Sequence, residues 1–242
     1  MNTVLILGSA PNALMARNWE REGIDHILAI NNAYAVRPDW DSLIHPEDFP
    51  QENLPTDLAP GQTVVTAAAY VPAQNIYGGF VYAGGTMAFT AGYWALRHHK
   101  PRVLAYFGCD MVYKPSGNTH FYGTGAADPL RKDVTLQSLE AKSARLMILA
   151  AQQGCAVVNL SLDESRLVFP RARQPDLPQI DPQPFDHARA QAAMRAEEEL
   201  GYMVPSGRYW EIEDQFDATK LAEIDALWLE AALAPEAGSG DT

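Results

Sequence analysis

Cysteine is scarce, positive charge is outweighed, and no apolar stretch is long. Two cysteines, Cys109 and Cys155, cannot build a disulfide framework, and a four-ligand zinc site would need His or carboxylate help. Both lie in apolar, strand-like runs and read as buried thiols of a reducing compartment. No apolar run approaches the ~18 residues of a spanning helix, so no membrane span is expected. The opening MNTVLILGSAPN has no basic segment, and its apolar run is only Val4 to Leu7. The expectation is therefore no export signal and a cytoplasmic location. Lys and Arg number 18 against 30 Asp and Glu, a formal net charge of −12. A cationic face for the phosphate backbone is missing, so nucleic acid is not an expected partner.

Three nucleotide and hydrolase signatures are also missing. There is no G-x-x-x-x-G-K-[ST], which argues against a P-loop phosphotransferase. The first turn reads G-S-A-P-N-A rather than G-x-G-x-x-G, a poor fit to a dinucleotide-binding dehydrogenase. Without a G-x-S-x-G elbow, an α/β-hydrolase is not expected either.

What is present is a chain of 242 residues, 47% apolar and 20% charged, enough for one α/β domain with an appendage. The acidity is local. Residues 185–242 hold 13 acids and 4 bases, a net −9 of the total. The remainder can still receive an anionic small molecule.

Apolar runs predict strands at Thr3–Leu7, His26–Ile30, Trp40–Ile44, Thr63–Val71, Arg102–Gly108 and Ala156–Leu160. Helices are predicted over Ala13–Glu22 with Asn12 as N-cap, from Gly84-Gly85-Thr86 through His99, and over Thr135–Gln153. Residues 46–62 and 111–134 read as irregular connections. This alternation predicts an α/β fold with a doubly wound, mostly parallel sheet and helices on both faces. Five prolines between 170 and 184 mark an extended linker or wrapping segment. Beyond it, two acidic helices, Phe185–Leu200 and Ala218–Leu233, form a C-terminal helical appendage, with a disordered tail over 234–242. The division is thus 1–169 for a nucleotide-binding domain and 170–242 for the appendage. The appendage reads as a lid, a dimer arm of a homo-oligomer, or a cover for the chain's own sheet.

In an open parallel sheet, ligands bind beyond the carboxyl ends of the strands. The residues there are small and amide-rich: Gly8 to Asn12, Asn31-Asn32, His45, Gly84 to Thr86, and Asp110 with its long loop. Glycine lets a backbone approach a phosphate, and a helix start offers free N–H groups. Asn pairs with a base edge or ribose hydroxyl. The loop adds Tyr113, Lys114, His120, Tyr122, Arg131 and Lys132. Histidine is suited to be a general base, and tyrosine or a cation to steady a leaving phosphate. The pair His98-His99 reads as a helix terminus, not a metal site.

VLILGSAPN, ILAINNAY, YAGGTMAF and VLAYFGCDMVY, in this order, resemble the bacterial sialyltransferases of glycosyltransferase family 42 over roughly residues 3–160. The resemblance implies a Rossmann-like fold that binds CMP at the strand tips and transfers sugar without a metal. The donor nucleotide sugar is then a substrate, and no cofactor is required. By residue, Gly8, Ser9, Pro11 and Asn12 match the family's first turn. Asn31 or Asn32 matches its nucleotide-contacting Asn, and Gly84, Gly85 and Thr86 its helix entry. Tyr113 falls one residue from a leaving-group tyrosine. Two positions depart: Thr124 stands where the family's base His is expected, leaving His120 for that role, and His45 replaces another Asn. A related resemblance is to the 6-hydroxymethylpterin diphosphokinase-like family, which implies Mg²⁺ held by Asp110 and Asp128. A catalytically inactive nucleotide-binding protein is the third reading, favoured by Thr124.

Overall fold

Short apolar runs become strands here because both faces of each are covered. β1 (Thr3–Leu7), β2 (His26–Ile30), β3 (Ser42–Ile44), β4 (Thr63–Val65), β5 (Val103–Phe107) and β6 (Ala156–Asn159) form one all-parallel sheet. Its order is β4-β3-β2-β1-β5-β6. The structure, a computed structural model, describes residues 2–113, 116–124 and 131–233. Lys114, Asp128 and the tail at 234–242 lie outside the described residues.

Side chains alternate between two cores, as the period of a strand requires. Val4, Ile6, Leu28, Leu104 and Val157 enter the larger one. It is closed by α1 (Ala67–Ile76), α2 (Phe80–Ala83), α3 (Met87–His99) and α4 (Leu139–Ala151). Leu5, Leu7, Ile27, Ala105 and Val158 enter the smaller one. Two 3-10 helices, Pro11–Asn18 and Asn31–Val36, cover that face. The proline-rich segment wraps it as well: Leu177 is fully buried there, and Asn159 pairs with Arg171 as a β-bridge. α5 (His187–Leu200) and α6 (Ala218–Ala232) pack on each other, and α6 packs on α4. Leu221, Ile224 and Trp228 join the larger core. No helix among the described residues is long and apolar enough to cross a membrane.

Three local expectations are corrected. The segment 13–22 is a 3-10 helix at 11–18 capped by Ala10, because Asn12 turns its amide away to Asp110, Ser161 and Asp163. The strand at 63–71 stops at Val65. Thr66 begins α1, where an alanine run has the highest helix propensity. The four-residue α2 was not foreseen. α4 starts at Leu139, where the Ser138 hydroxyl accepts from Ala141 N at 3.1 Å.

The C-terminal helices are held by buried charge. Arg145 on α4 makes two 2.7 Å contacts to the Glu197 carboxylate on α5, and donates to Tyr93 Oη at 2.8 Å. Trp228 Nε1 on α6 donates to the same carboxylate at 2.7 Å. A second pair, Lys142 Nζ to Asp225 Oδ1 at 2.7 Å, lies nearby, and burial pushes the Asp225 carboxyl up against the pull of Lys142. Removing one member of a buried pair strands the other without water. Glu197→Ala should therefore lower stability by about 3–5 kcal/mol, read as a reduced urea midpoint with an unchanged slope. A loss under about 1 kcal/mol would show that the clasp does not hold the helices.

Where β2 begins and α3 ends, His26, His98 and His99 gather beside Asp41 and Arg21, with the His26 and His99 rings 4.1 Å apart. Burial lowers both His26 and His99, the latter to about 4, with each neighbouring imidazole adding to the effect and Asp41 opposing it. Below the ordinary value near 6.5, the unfolded chain binds protons that the folded chain refuses. Stability should thus fall as pH drops from about 6.5 toward 4. His99→Gln should flatten the melting-temperature profile between pH 7 and 5; an unchanged slope would place the sensitivity elsewhere.

Candidate functional site

The order in which strands are added reverses between β1 and β5, and the chain beyond the tips of these two parallel neighbours stays closely paired. Gly8 N donates to Phe107 O at 2.8 Å and Ala10 N to Gly108 O at 3.0 Å. A Cβ on Gly8 would lie 2.2 Å from Gly108 O, so no other residue fits there without moving backbone. Directly beyond this point opens a cleft of about 930 Å³. That is where a doubly wound sheet places its ligands.

The cleft is built from the residues that follow the strands. Gly8 and Ser9 come from β1, Ile30 and Asn31 from β2, Glu47 and Asp48 from beyond β3, and Gly108, Met111 and Tyr113 from beyond β5. The first turn of α3, Thr86 to Ala88, forms its base, with Thr86 as N-cap. Two non-glycine lining residues, Asn31 at φ 52° and Met111 at φ 56°, sit in the left-handed region. Asparagine adopts this region readily, but for Met111 it costs of order 1–2 kcal/mol, and such strain clusters at functional sites. The Asn31 Oδ1 is buried without a hydrogen-bond partner among the described residues.

His120 is placed by a tight turn. His120 N donates to Gly123 O at 2.9 Å, Gly123 N returns the bond at 3.1 Å, and Phe121 N donates to Ser9 O at 3.0 Å. The long loop is thereby tied to the first turn of the chain. The imidazole packs parallel to Tyr122 at 5.0 Å and stands 6.2 Å from Tyr113, and Thr119 Oγ1 lies 2.8 Å from its Nδ1. His120, Tyr113 and Tyr122 all line the cleft.

Two cations, Arg131 and Lys132, line the cleft together with the α3 first turn, whose free N–H groups carry the positive end of the helix dipole. Arg131 donates to Gly85 O and to Asp133 Oδ2, both at 2.8 Å. Asp133 also accepts from Tyr209 Oη at 2.7 Å and from Thr135 Oγ1 at 2.7 Å. Burial alone would raise the Asp133 carboxyl, but the bonds from Thr135, Tyr209 and Arg131 outweigh it and hold it below the usual range. Burial and the adjacent carboxylate push Tyr209 up, so it stays a donor. Carboxylates line the same cleft: Glu47 and Glu211, 3.6 Å and 3.7 Å from Arg208, Asp48, and Glu213, whose Oε1 accepts from Val134 N at 3.0 Å. Burial, followed by Glu47 and Asp48, pushes Tyr70 in the wall up to about 12.

Of the residues expected from sequence, Gly8, Ser9, Asn31, Gly85, Thr86, Tyr113, His120 and Tyr122 meet in this cleft. Pro11, Asn12, Asn32, Gly84 and Asp110 lie outside its lining. Asp110 is buried and accepts from Asn12 Nδ2 at 3.0 Å and Asn159 Nδ2 at 2.9 Å, which fixes the first turn against β6. His45 is also buried, against Phe49, with Nδ1 at 2.7 Å from Pro46 O. His98 stacks on Trp94 at 4.7 Å, at the end of α3. Cys109 and Cys155 are buried free thiols. Sequence reading missed the wall at 206–213, between α5 and α6, which supplies Arg208, Tyr209 and Trp210. Its cluster of aromatic and charged residues, RYWEIED, was the available signal. Comparison with protein-family models, with curated proteins and with solved structures found no match.

A Cβ on Gly85 would come within 2.0 Å of Tyr209 Oη. Gly85→Ala should therefore displace Tyr209 and loosen Arg131, while Gly8→Ala should collide with backbone and destabilise by more than about 2 kcal/mol. Thermal melts compare the two; an equal, negligible effect would show that neither approach is tight.

Proposed function

We propose that the chain is a sialyltransferase-like glycosyltransferase that uses a nucleotide-activated sugar, CMP-linked, without a metal. The observation that carries this reading is the convergence of strand-tip residues with His120, Tyr113 and Tyr122 on one cleft whose base is a helix N-terminus flanked by Arg131 and Lys132. The nucleotide phosphate sits at the start of α3 near Arg131, where N–H groups and guanidinium favour an anion. The unpartnered Asn31 acceptor suits a donor on a base or ribose. His120, steadied by Thr119, takes the proton of an acceptor hydroxyl. The new C–O bond forms as the bond from sugar carbon to phosphate oxygen breaks, and CMP leaves with that electron pair. Tyr113 and Tyr122 donate to the departing phosphate. Asp110 is a positioning residue: its carboxylate, held by Asn12 and Asn159, orients the first turn.

The test is a melting panel of CMP, UDP, GDP, ATP and NADH, each with and without Mg²⁺, followed by transfer from a CMP-linked sugar. CMP at 100 times its dissociation constant should add about 2.7 kcal/mol to stability. His120→Ala should keep that shift and lose about 10²–10⁴-fold in transfer rate. A shift with ATP and Mg²⁺ alone would replace this reading with a phosphotransferase. CMP binding with no transfer by the unaltered protein would leave a binding protein.

A further inference from the structure

Asp133 caps a short 3-10 helix at Val134–Leu136, and for that one oxygen suffices: Oδ1 accepts from Thr135 N at 2.8 Å. The same oxygen accepts from Thr135 Oγ1 at 2.7 Å, and that hydroxyl in turn accepts from Gly85 N at 2.9 Å. Oδ2 has no part in the cap. It accepts from Arg131 Nε at 3.0 Å, from Arg131 Nη2 at 2.8 Å and from Tyr209 Oη at 2.7 Å. Arg131 Nη2 also reaches Gly85 O at 2.8 Å and Tyr209 Oη at 2.9 Å. One carboxylate thus holds, directly or through one further bond, both backbone polar groups of Gly85, a guanidinium and a phenol 76 residues further along the chain.

The Asp133 side chain is 6% exposed and that of Arg131 40%, so the guanidinium runs from a dry anchor into the cleft it lines. Ordering a long side chain before the ligand arrives removes that entropy from the cost of binding. Against burial, the bonds from Thr135, Tyr209 and Arg131 keep the Asp133 carboxyl below the usual range, so it stays an acceptor at neutral pH. Two roles for this carboxylate predict opposite signs. As a bare counter-charge it would repel a ligand phosphate, and its neutralisation would tighten binding. As the group that aims Arg131, its neutralisation would release the guanidinium and weaken binding. The geometry favours the second role, because the charge is met at Oδ2 by three donors, two of them from Arg131 itself.

We propose that Asp133 is a positioning residue of the cleft, with Tyr209 as its partner, and that together they aim the Arg131 guanidinium at the ligand phosphate and fix the turn into α3. The place of the phosphate rests on the reading above. Dissociation constants for CMP, cytidine and inorganic phosphate are measured by calorimetry on the full chain, unaltered and as Arg131→Ala, Asp133→Asn and Tyr209→Phe, with melting curves to confirm folding. The preference for CMP over cytidine should fall roughly tenfold in Arg131→Ala and Asp133→Asn, and less in Tyr209→Phe, while cytidine binding stays within about twofold. The double variant of Arg131→Ala and Asp133→Asn should lose no more than Arg131→Ala alone, because both changes remove one interaction. Should Asp133→Asn not fold, Tyr209→Phe decides by the same ratio, since it deletes the phenol donor and leaves the ring against Phe80. Tighter or unchanged CMP binding in Asp133→Asn, equal losses for CMP and cytidine, or additive losses in the double variant overturn the assignment, as does an unaltered protein that binds neither CMP nor phosphate. Phosphate binding that depends on Asp133, without CMP binding, keeps the assignment and removes the nucleotide reading. A CMP preference that depends on Asp133, without sugar transfer, removes only the transferase reading.

Discussion

The Arg145–Glu197 contact joins more of this molecule than any strand pair does. One guanidinium on α4 reaches a carboxylate on α5, a tyrosine hydroxyl on α3 and the Tyr77 carbonyl, while α6 adds an indole donor to the same carboxylate. Tyr82 on α2 donates to Glu197 O and accepts from Tyr202 N. The start of the connection between α5 and α6 is thereby pinned, and with it the cleft wall that follows. Arg145, Glu197, Tyr93 and Trp228 are buried, so each charge of the pair is retained only because the other is present. The C-terminal helices, acidic on their outer surface, are anchored by the few charges that face inward.

The cleft owes its shape to close approaches of another kind. Gly8 and Gly108 let two neighbouring strand tips run on in close contact, and Gly85 lets Tyr209 lie against the entry to α3. In both places a missing side chain admits a neighbour. Around these contacts charges of both signs meet in one cleft: Arg131 with Asp133, and Arg208 with Glu47 and Glu211.

The sheet could be read from the chain because strands covered on both faces stand out as continuous apolar runs such as TVLIL and VLAYF. The parallel, doubly wound arrangement then followed from chain alternation, and the candidate site from the rule that ligands gather at carboxyl ends. Errors arose where composition and capping disagree. Thr, Val and Tyr over 63–71 favour a strand, yet Thr66 and three alanines start a helix. The wall at 206–213 carried a local signal in RYWEIED, but its place in the fold was not legible. It reaches the cleft through contacts such as Tyr202 to Tyr82, 120 residues apart, which no local pattern encodes. Asp110 shows the converse: a strand-end carboxylate conspicuous in sequence is spent on Asn12 and Asn159.

The wall bearing Arg208 and Trp210 hangs between two anchored helices, yet Tyr209 within it bonds Arg131 and Asp133 and lies against Gly85. A change that shifts this tyrosine is felt at the start of α3, whereas its exposed neighbour Trp210 can vary without touching strand register. Strand tips and surface connection thus evolve under different constraints, joined at a single phenol.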